Sequence, residues 1–232
     1  MSIAFDTHAD KTIPLLMVKN EEFWIAEILR PLSAVFKHIL LGDTGSNDRT
    51  VDIAAEFPNV EIILYGPQKP PGLGQVRYRM AQYGRNLGYT HALLVDGDQL
   101  YNQETLRWVL SQSWPDGRFL GFVTMLSLDR DENGDLWEMA DLFSYPPLYL
   151  LNEKWHGDYP FEVPDAFDHS ELYRYFEAPP EYRYHAVHLH RLRRSPRDDT
   201  VFGRVDKQQS FSMQKRDIPR TQRFDFKHWT TR

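Results

Sequence analysis

The stretch Thr90–Tyr101, THALLVDGDQLY, is an apolar run that ends abruptly in two carboxylates separated by one glycine. A short, continuously apolar segment bounded by polar residues reads as a strand buried on both faces. Two like charges this close repel each other and are costly to desolvate. Asp96 and Asp98 leaving the end of a core strand together therefore point to a cation, or a cationic transition state, beside them.

Working outward, the same strand-then-helix pattern repeats. Residues 12–18, TIPLLMV, read as a strand, and KNEEFWIAEILRPLSAVF as a helix with Phe23, Ile25, Ile28, Leu29 and Leu32 on one face, kinked or ended near Pro31. HILLGD is a second buried strand, GSNDRT a turn with helix-starting residues, VDIAAEF a short helix and VEIILYG a third strand. GLGQVRYRMAQYGRNLG is a helix with glycine at both ends, HALLVD the fourth strand, and residues 102–112 another helix. This alternation predicts an α/β fold with a mostly parallel central sheet and helices on both faces. Ligands in such sheets bind at the carboxyl ends of the strands. Lys19 to Glu21, Asp43 to Asp48 and Asp96 to Asp98 follow three of those ends, so they should gather along one edge.

The pattern changes near residue 119. FLGFVTMLSLDRDENGDLWEMADLF predicts two strands around DENGD, because Asn-Gly between apolar runs is a strong hairpin signal. Asp129, Asp131, Asn133 and Gly134 fall at positions one, three, five and six of a calcium loop, but position twelve is Ala140, which cannot supply the bidentate acid. The hairpin is the better reading. Residues 144–168, rich in proline, aromatics and acids, have the composition of a binding loop. SELYRYFE predicts a short helix, EYRYHAVHLHRL a strand, and an irregular basic remainder follows.

Composition bounds the function. With 232 residues and 41% hydrophobic side chains, the chain can bury one sizeable core, giving one domain with a C-terminal appendage. It has no cysteine, which removes disulfides, thiolate metal sites and a cysteine nucleophile. Neither a signal-peptide core nor an apolar run of about 18 residues is present, so a soluble or at most peripheral protein is expected. The net charge of −6 argues against a general nucleic-acid binder. It hides an asymmetry, since residues 183–232 hold 13 Lys or Arg against 5 Asp or Glu, and the rest of the chain is acidic. That tail either offsets the body's self-repulsion or brings arginines to phosphates.

A carboxylate pair on the ligand edge of a parallel sheet suits a divalent ion that bridges phosphate oxygens: hard ligands, few of them, with positions left open for substrate. The P-loop pattern GxxxxGK[ST] is absent, and GLGQVR lacks the spacing and strand order of a dinucleotide fingerprint. LLMVKNEEFWIAEIL, ILLGDTGSNDRTVDIA and ALLVDGDQLY, in that order, resemble the opening half of a family 2 inverting glycosyltransferase of the GT-A fold, over residues 12–112. The resemblance implies a nucleotide-sugar-binding half (1–112), an acceptor-side half (113–190) and a basic C-terminal segment (191–232).

It also implies roles. Asn20, Glu21 and Asp43 would lie beside the nucleoside, where a carboxylate suits base N–H or ribose hydroxyl donors. As an ordinary turn residue Asp43 would bond its own backbone, and Asp48 reads as a helix cap. Arg77 or Arg79 would face the donor, and Arg191 belongs to a basic run, with Arg193 and Arg194, suited to a diphosphate. Asp98 would hold a divalent metal, Mn2+ or Mg2+, with Asp96 beside it on the metal or the ribose, and His188 or His190 from a late strand would complete the set. Inversion needs a base on the opposite face of the sugar, and FEVPDAFDHSELYRYF offers Asp168 or Asp165, with Glu162 nearby. Asp168 and Glu171 also form a capping box, a sufficient structural reason for both. Trp155, Tyr159 and Phe161 either stack on an acceptor sugar or close the core beneath their loop.

The expected partners are a nucleoside-diphosphate sugar and a hydroxyl acceptor on a glycan, a lipid-linked molecule or a protein. No nucleic acid is expected, since the tail carries no recognition element. The expected location is cytoplasmic, with peripheral contact to an anionic membrane left open. Two rivals remain. A nucleotidyltransferase making nucleotide sugars shares the sheet but usually has a glycine-rich basic loop after the first strand, where this chain reads MVKNEEF. A non-catalytic nucleotide-sugar or glycan-binding module would favour loss of the metal carboxylates, and Asp96 and Asp98 are both present.

Overall fold

The computed structural model describes residues 9–68, 72–111, 120–151, 173–175, 181, 183–189, 192, 194–197 and 219–230. Four strands build the first half: β1 (Thr12–Val18), β2 (Ile39–Asp43), β3 (Val60–Leu64) and β4 (His91–Asp96). They pair in parallel in the order β3-β2-β1-β4. Helix α1 (Ile25–Val35) runs through Pro31 rather than ending there, and is followed by α2 (Thr50–Ala54), α3 (Gly72–Asn86) and α4 (Gln103–Ser111).

Alternating side chains explain why both faces are covered. Leu16, Val18, Ile39, Leu41, Leu93 and Val95 pack with Ile25, Ile28 and Leu29 of α1 and Leu106 of α4. Ile13, Leu15, Leu40, Ala92 and Leu94 point the other way, onto Val76, Met80 and Ala81 of α3. The apolar runs of β1, β2 and β4 are what a parallel sheet buried on both sides requires, whereas β3 carries Glu61 and leaves Leu64 exposed.

The sheet continues into the second half through β5 (Gln99–Tyr101), β6 (Leu120–Arg130), β7 (Leu136–Leu150), β8 (Tyr173–Tyr175), β9 (Ala186–His188) and β10 (Arg220–Arg223). Among the described residues all ten strands form one sheet, along the path β3-β2-β1-β4-β7-β6-β9-β5 with β8 on β6 and β10 on β7. The fold is therefore α/β with a parallel central sheet and an antiparallel extension. No helix among the described residues is long and apolar enough to cross a membrane.

The hairpin reading holds. β6 and β7 pair antiparallel down to Arg130 opposite Leu136. Asp131 Oδ1 accepts the amides of Asn133 and Asp135 at 2.9 Å, its Oδ2 accepts the Trp137 indole N–H at 2.9 Å, and Gly134 takes the left-handed φ of +88°. The Trp137 bond is the main cause that holds the Asp131 carboxyl below its ordinary pKa. The carboxylate that would sit third in a calcium loop closes the turn instead.

Two local readings are corrected. Within SELYRYFE, Tyr173–Tyr175 is a strand, paired in parallel with Leu120–Phe122 of β6. A three-residue edge with alternating aromatics gains more from the open hydrogen-bonding side of β6 than short-range helical preference can supply. The C-terminal remainder is not wholly irregular either: β10 pairs with β7, and helix α5 (Phe226–Thr230) buries Trp229 against Tyr184 and Phe224, ring centroids 5.2 and 6.0 Å apart. The tail's arginines answer acids on the body, Arg183 with Glu138, Arg220 with Asp129 and Arg223 with Asp135. That is the charge compensation which the acidic body calls for.

Candidate active site at the strand ends

In the order β3-β2-β1-β4 the direction of winding reverses between β1 and β4, so the crevice outside their carboxyl ends is the topological switch point. Register brings three polar loops to it. Met17 lies opposite Gly42 on one side and Asp96 on the other, and Val18 lies opposite Asp43.

The loops after β1 and β2 interlock. Asn20, with φ of +55°, donates its amide to Ser46 Oγ at 2.9 Å and accepts the Asn47 amide on Oδ1 at 2.9 Å. Glu21 donates its amide to Thr50 Oγ1 at 2.7 Å, and Glu22 donates to Asp48 Oδ2 at 3.3 Å. Asp43, buried, accepts the amides of Gly45 and Ser46 at 3.0 and 3.1 Å. It does the work of a turn residue, and its carboxylate still has lone pairs for a further donor.

Asp48 accepts the Thr50 amide at 3.0 Å, and both the Thr50 and Ser195 hydroxyls donate to it. Burial pushes its pKa up, but bonds from Ser195, Thr50 and the Glu22 amide outweigh that and hold it below the ordinary value. A carboxylate depressed on folding contributes stability above its unfolded pKa, near 3.9, and loses it as pH falls through the folded value. Asp48→Asn should therefore melt below wild type at neutral pH, with a gap that closes below about pH 4. Thermal unfolding from pH 7 to 2.5 checks this, and a gap independent of pH would overturn it.

The carboxylates of Asp96 and Asp98 are each met by a buried arginine. Arg77 of α3 pairs with Asp96 Oδ1, and Gln99 Nε2 lies 3.4 Å from Asp96 Oδ2. Arg79, two residues on, is exposed and its charge acts on Tyr65 just beyond β3, so of the two arginines Arg77 is the one that pairs with Asp96. Arg194 donates through one nitrogen, Nη1, to Asp98 Oδ2 at 2.7 Å and to Glu21 Oε1 at 3.1 Å. The Asp98 Oδ1 atom lies 3.4 Å from His188 Nε2.

β9 delivers His188. It pairs with β5 so that His188 lies opposite Gln99, and with β6 so that His188 lies opposite Ser127. The Leu189 amide donates to the Asp98 carbonyl at 2.7 Å, which ties the late segment to the Asp-Gly-Asp turn. His185 serves packing: fully buried, its Nδ1 accepts the Thr124 amide at 3.0 Å.

The residues Asp165, Asp168, Glu162, His190, Arg191, Arg193, Trp155, Tyr159 and Phe161 lie outside the described residues. What sequence reasoning missed is the pairing role of Arg194. The signal was available: buried acids gathered at one edge demand a cation, and RLRRS directly follows the histidines.

Could these residues hold a divalent ion? Two ligands each about 2.1 Å from one ion stand roughly 3 Å apart, so Asp98 Oδ1 and His188 Nε2 fit a shared ion, in a donor set small enough to leave positions for substrate oxygens. Among the described residues no cluster of three His, Cys, Asp or Glu completes an all-protein cage.

No protein-family model and no curated protein matches the chain. Among solved structures it overlaps HddC from Yersinia pseudotuberculosis at 14% identity and TM-score 0.46, covering 77% of this chain and 93% of that one. A 4-diphosphocytidyl-2C-methyl-D-erythritol synthase overlaps at 14% identity and TM-score 0.45, covering 61% and 76%. Glucosyl-3-phosphoglycerate synthase from Mycobacterium tuberculosis, in complex with Mn2+, UDP and phosphoglyceric acid, overlaps at 16% identity and TM-score 0.39, covering 53% of this chain and 45% of that one. This chain thus spans less than half of that synthase, and TM-scores below 0.5 leave the chemistry to be argued from the site itself.

Proposed function

We propose that the protein is a metal-dependent inverting glycosyltransferase that moves a sugar from a nucleoside-diphosphate sugar to a hydroxyl acceptor. The observation that carries this reading is the pairing of Asp98 with His188 at the switch point, 3.4 Å apart, beside Asp43 and Asp96. A divalent ion held by Asp98 and His188 would supply Lewis-acid charge to the diphosphate leaving group.

The chain's own groups have the remaining work. Asp96, oriented by Arg77 and Gln99, presents acceptor oxygens to ribose hydroxyls. Asp43, held by its own turn, presents acceptors to the nucleoside. The proton of the attacking hydroxyl is assigned to Asp165 or Asp168, and Arg191 to the donor phosphates.

The nucleotidyltransferase rival calls for backbone amides after β1 that are open to a triphosphate. Here the amides of Asn20, Glu21 and Glu22 go to Ser46, Thr50 and Asp48, and that of Phe23 to the Arg194 carbonyl. Glu22, partly exposed in that loop, would also repel the phosphates, while Glu21 is matched by Arg194.

Calorimetric titration with UDP, GDP, dTDP and CDP, with and without manganese, tests the proposal. One nucleotide should bind, and only with the metal. If none binds under any condition, a scaffold reused for another purpose becomes the better account.

A further inference from the structure

We propose that Arg194 is the built-in counter-cation of this site: its guanidinium competes with a divalent ion for Asp98, so that metal binds well only together with an anionic diphosphate. The inference rests on the reading above that Asp98 and His188 hold the ion.

The position of Arg194 is fixed on every side. It is 7% exposed, and Nη1 lies between Asp98 Oδ2 and Glu21 Oε1 at 2.7 and 3.1 Å. Its carbonyl accepts the Phe23 amide at 2.9 Å, and the next residue, Ser195, bonds Asp48. The backbone at residue 194 is thus bolted to the loops after β1 and β2, while its side chain lies on the turn after β4. The guanidinium cannot leave without giving up both Asp98 and Glu21.

An ion that enters between Asp98 Oδ1 and His188 Nε2 finds Asp98 already matched by a positive charge on its other oxygen. The two cations repel across one carboxylate, in a place where water screens poorly. Metal alone should therefore bind weakly. A diphosphate reverses the sign, because its oxygens attract the ion and the guanidinium at once. Metal and diphosphate then help each other to bind, and the coupling is reciprocal. Were Arg194 only a tie between loops, its removal would lower stability and leave the metal indifferent.

The test is titration with Mn2+ alone, followed by electron paramagnetic resonance of the free ion, and then with pyrophosphate present, alongside thermal unfolding. Pyrophosphate supplies the diphosphate without depending on which base the enzyme uses. Arg194→Gln should bind Mn2+ alone at least tenfold more tightly than wild type, and the gain from pyrophosphate should shrink by a similar factor. Arg194→Lys, which keeps the charge, should stay near wild type. Metal-free Arg194→Gln should melt below wild type and recover more on adding Mn2+. Should Arg194→Gln fail to fold, the double variant Glu21→Gln/Arg194→Gln, which removes the other buried charge too, carries the same expectation. If wild type binds Mn2+ and the folded variant binds it no more tightly, the competition is overturned while the metal site stands. If neither wild type nor any variant binds Mn2+, the metal reading falls and the competition with it.

Discussion

Asp98→Asn is expected to abolish manganese-dependent nucleotide binding and to slow sugar transfer at least about 100-fold, as loss of a group that stabilises developing charge usually does. The substitution keeps the volume and one acceptor oxygen but removes the charge that answers both Arg194 and the ion. Stability should fall far less. Removing one partner of a buried pair costs about 3–5 kcal/mol when it strands the other charge. Arg194 is not stranded, because Glu21 Oε1 still lies 3.1 Å from it. The cost should then be that of one hydrogen bond to a charged group, about 1.5–3 kcal/mol, or roughly 3–12 °C in Tm for a chain of this size. Calorimetry, a transfer assay and a melting curve separate the two effects. An Asp98→Asn protein that still binds nucleotide only with manganese would remove Asp98 from the metal site.

The first half of the fold was legible because its strands are short, largely apolar runs and its longer helices each have an apolar face. Residues 12–18, 39–43, 60–64 and 91–96 follow that pattern with turn residues between them, and the structure places strands there. The strand ends were legible for the same reason, since the rule for parallel sheets puts Glu21, Asp43 and Asp96 on one edge once the strands are known. Contacts made across long separations were not. RLRRS offers a cation for that edge, but it does not single out Arg194 for Glu21, 173 positions earlier, or Ser195 for Asp48, 147 positions earlier. The strands β5, β8 and β10 are three or four residues long, too short for periodicity to register; β8 and β10 form on the longer β6 and β7, and β5 pairs with β9, itself three residues long and seated on β6. Pro31 inside α1 gives the converse case, where Ile25, Ile28, Leu29 and Leu32 keep the helix going past a residue that would end it in isolation.

Gly97→Ala should be damaging out of proportion to its size. A Cβ at Gly97 would lie 2.6 Å from Glu21 Cγ, 2.9 Å from its Cδ and 3.0 Å from its Oε1. The glycine is needed for close approach, not for a left-handed turn, since its φ is not positive. Neither side can yield cheaply. The Gly97 amide donates to the Met17 carbonyl at 3.0 Å, and the next carbonyl, that of Asp98, accepts the Leu189 amide at 2.7 Å. Glu21 is 1% exposed, tied by its amide to Thr50 and by its carboxylate to Arg194. Overpacking a tight site costs about 1–3 kcal/mol, and pushing Glu21 off Arg194 adds part of the 3–5 kcal/mol or so that breaking a buried pair costs. A loss of about 2–5 kcal/mol follows, which lowers Tm by roughly 4–20 °C. Nucleotide binding should be lost as well, because Asp96 and Asp98 flank the residue that must move. Glu21→Ala supplies the control. If the clash is the cause, the double variant Gly97→Ala/Glu21→Ala will be less destabilised than the sum of the two single variants, since removing the Glu21 side chain leaves the new methyl nothing to strike. A Gly97→Ala protein that melts with wild type would mean that Glu21 does not pack against this turn, and the network from Glu21 through Arg194 to Asp98 would lose its anchor.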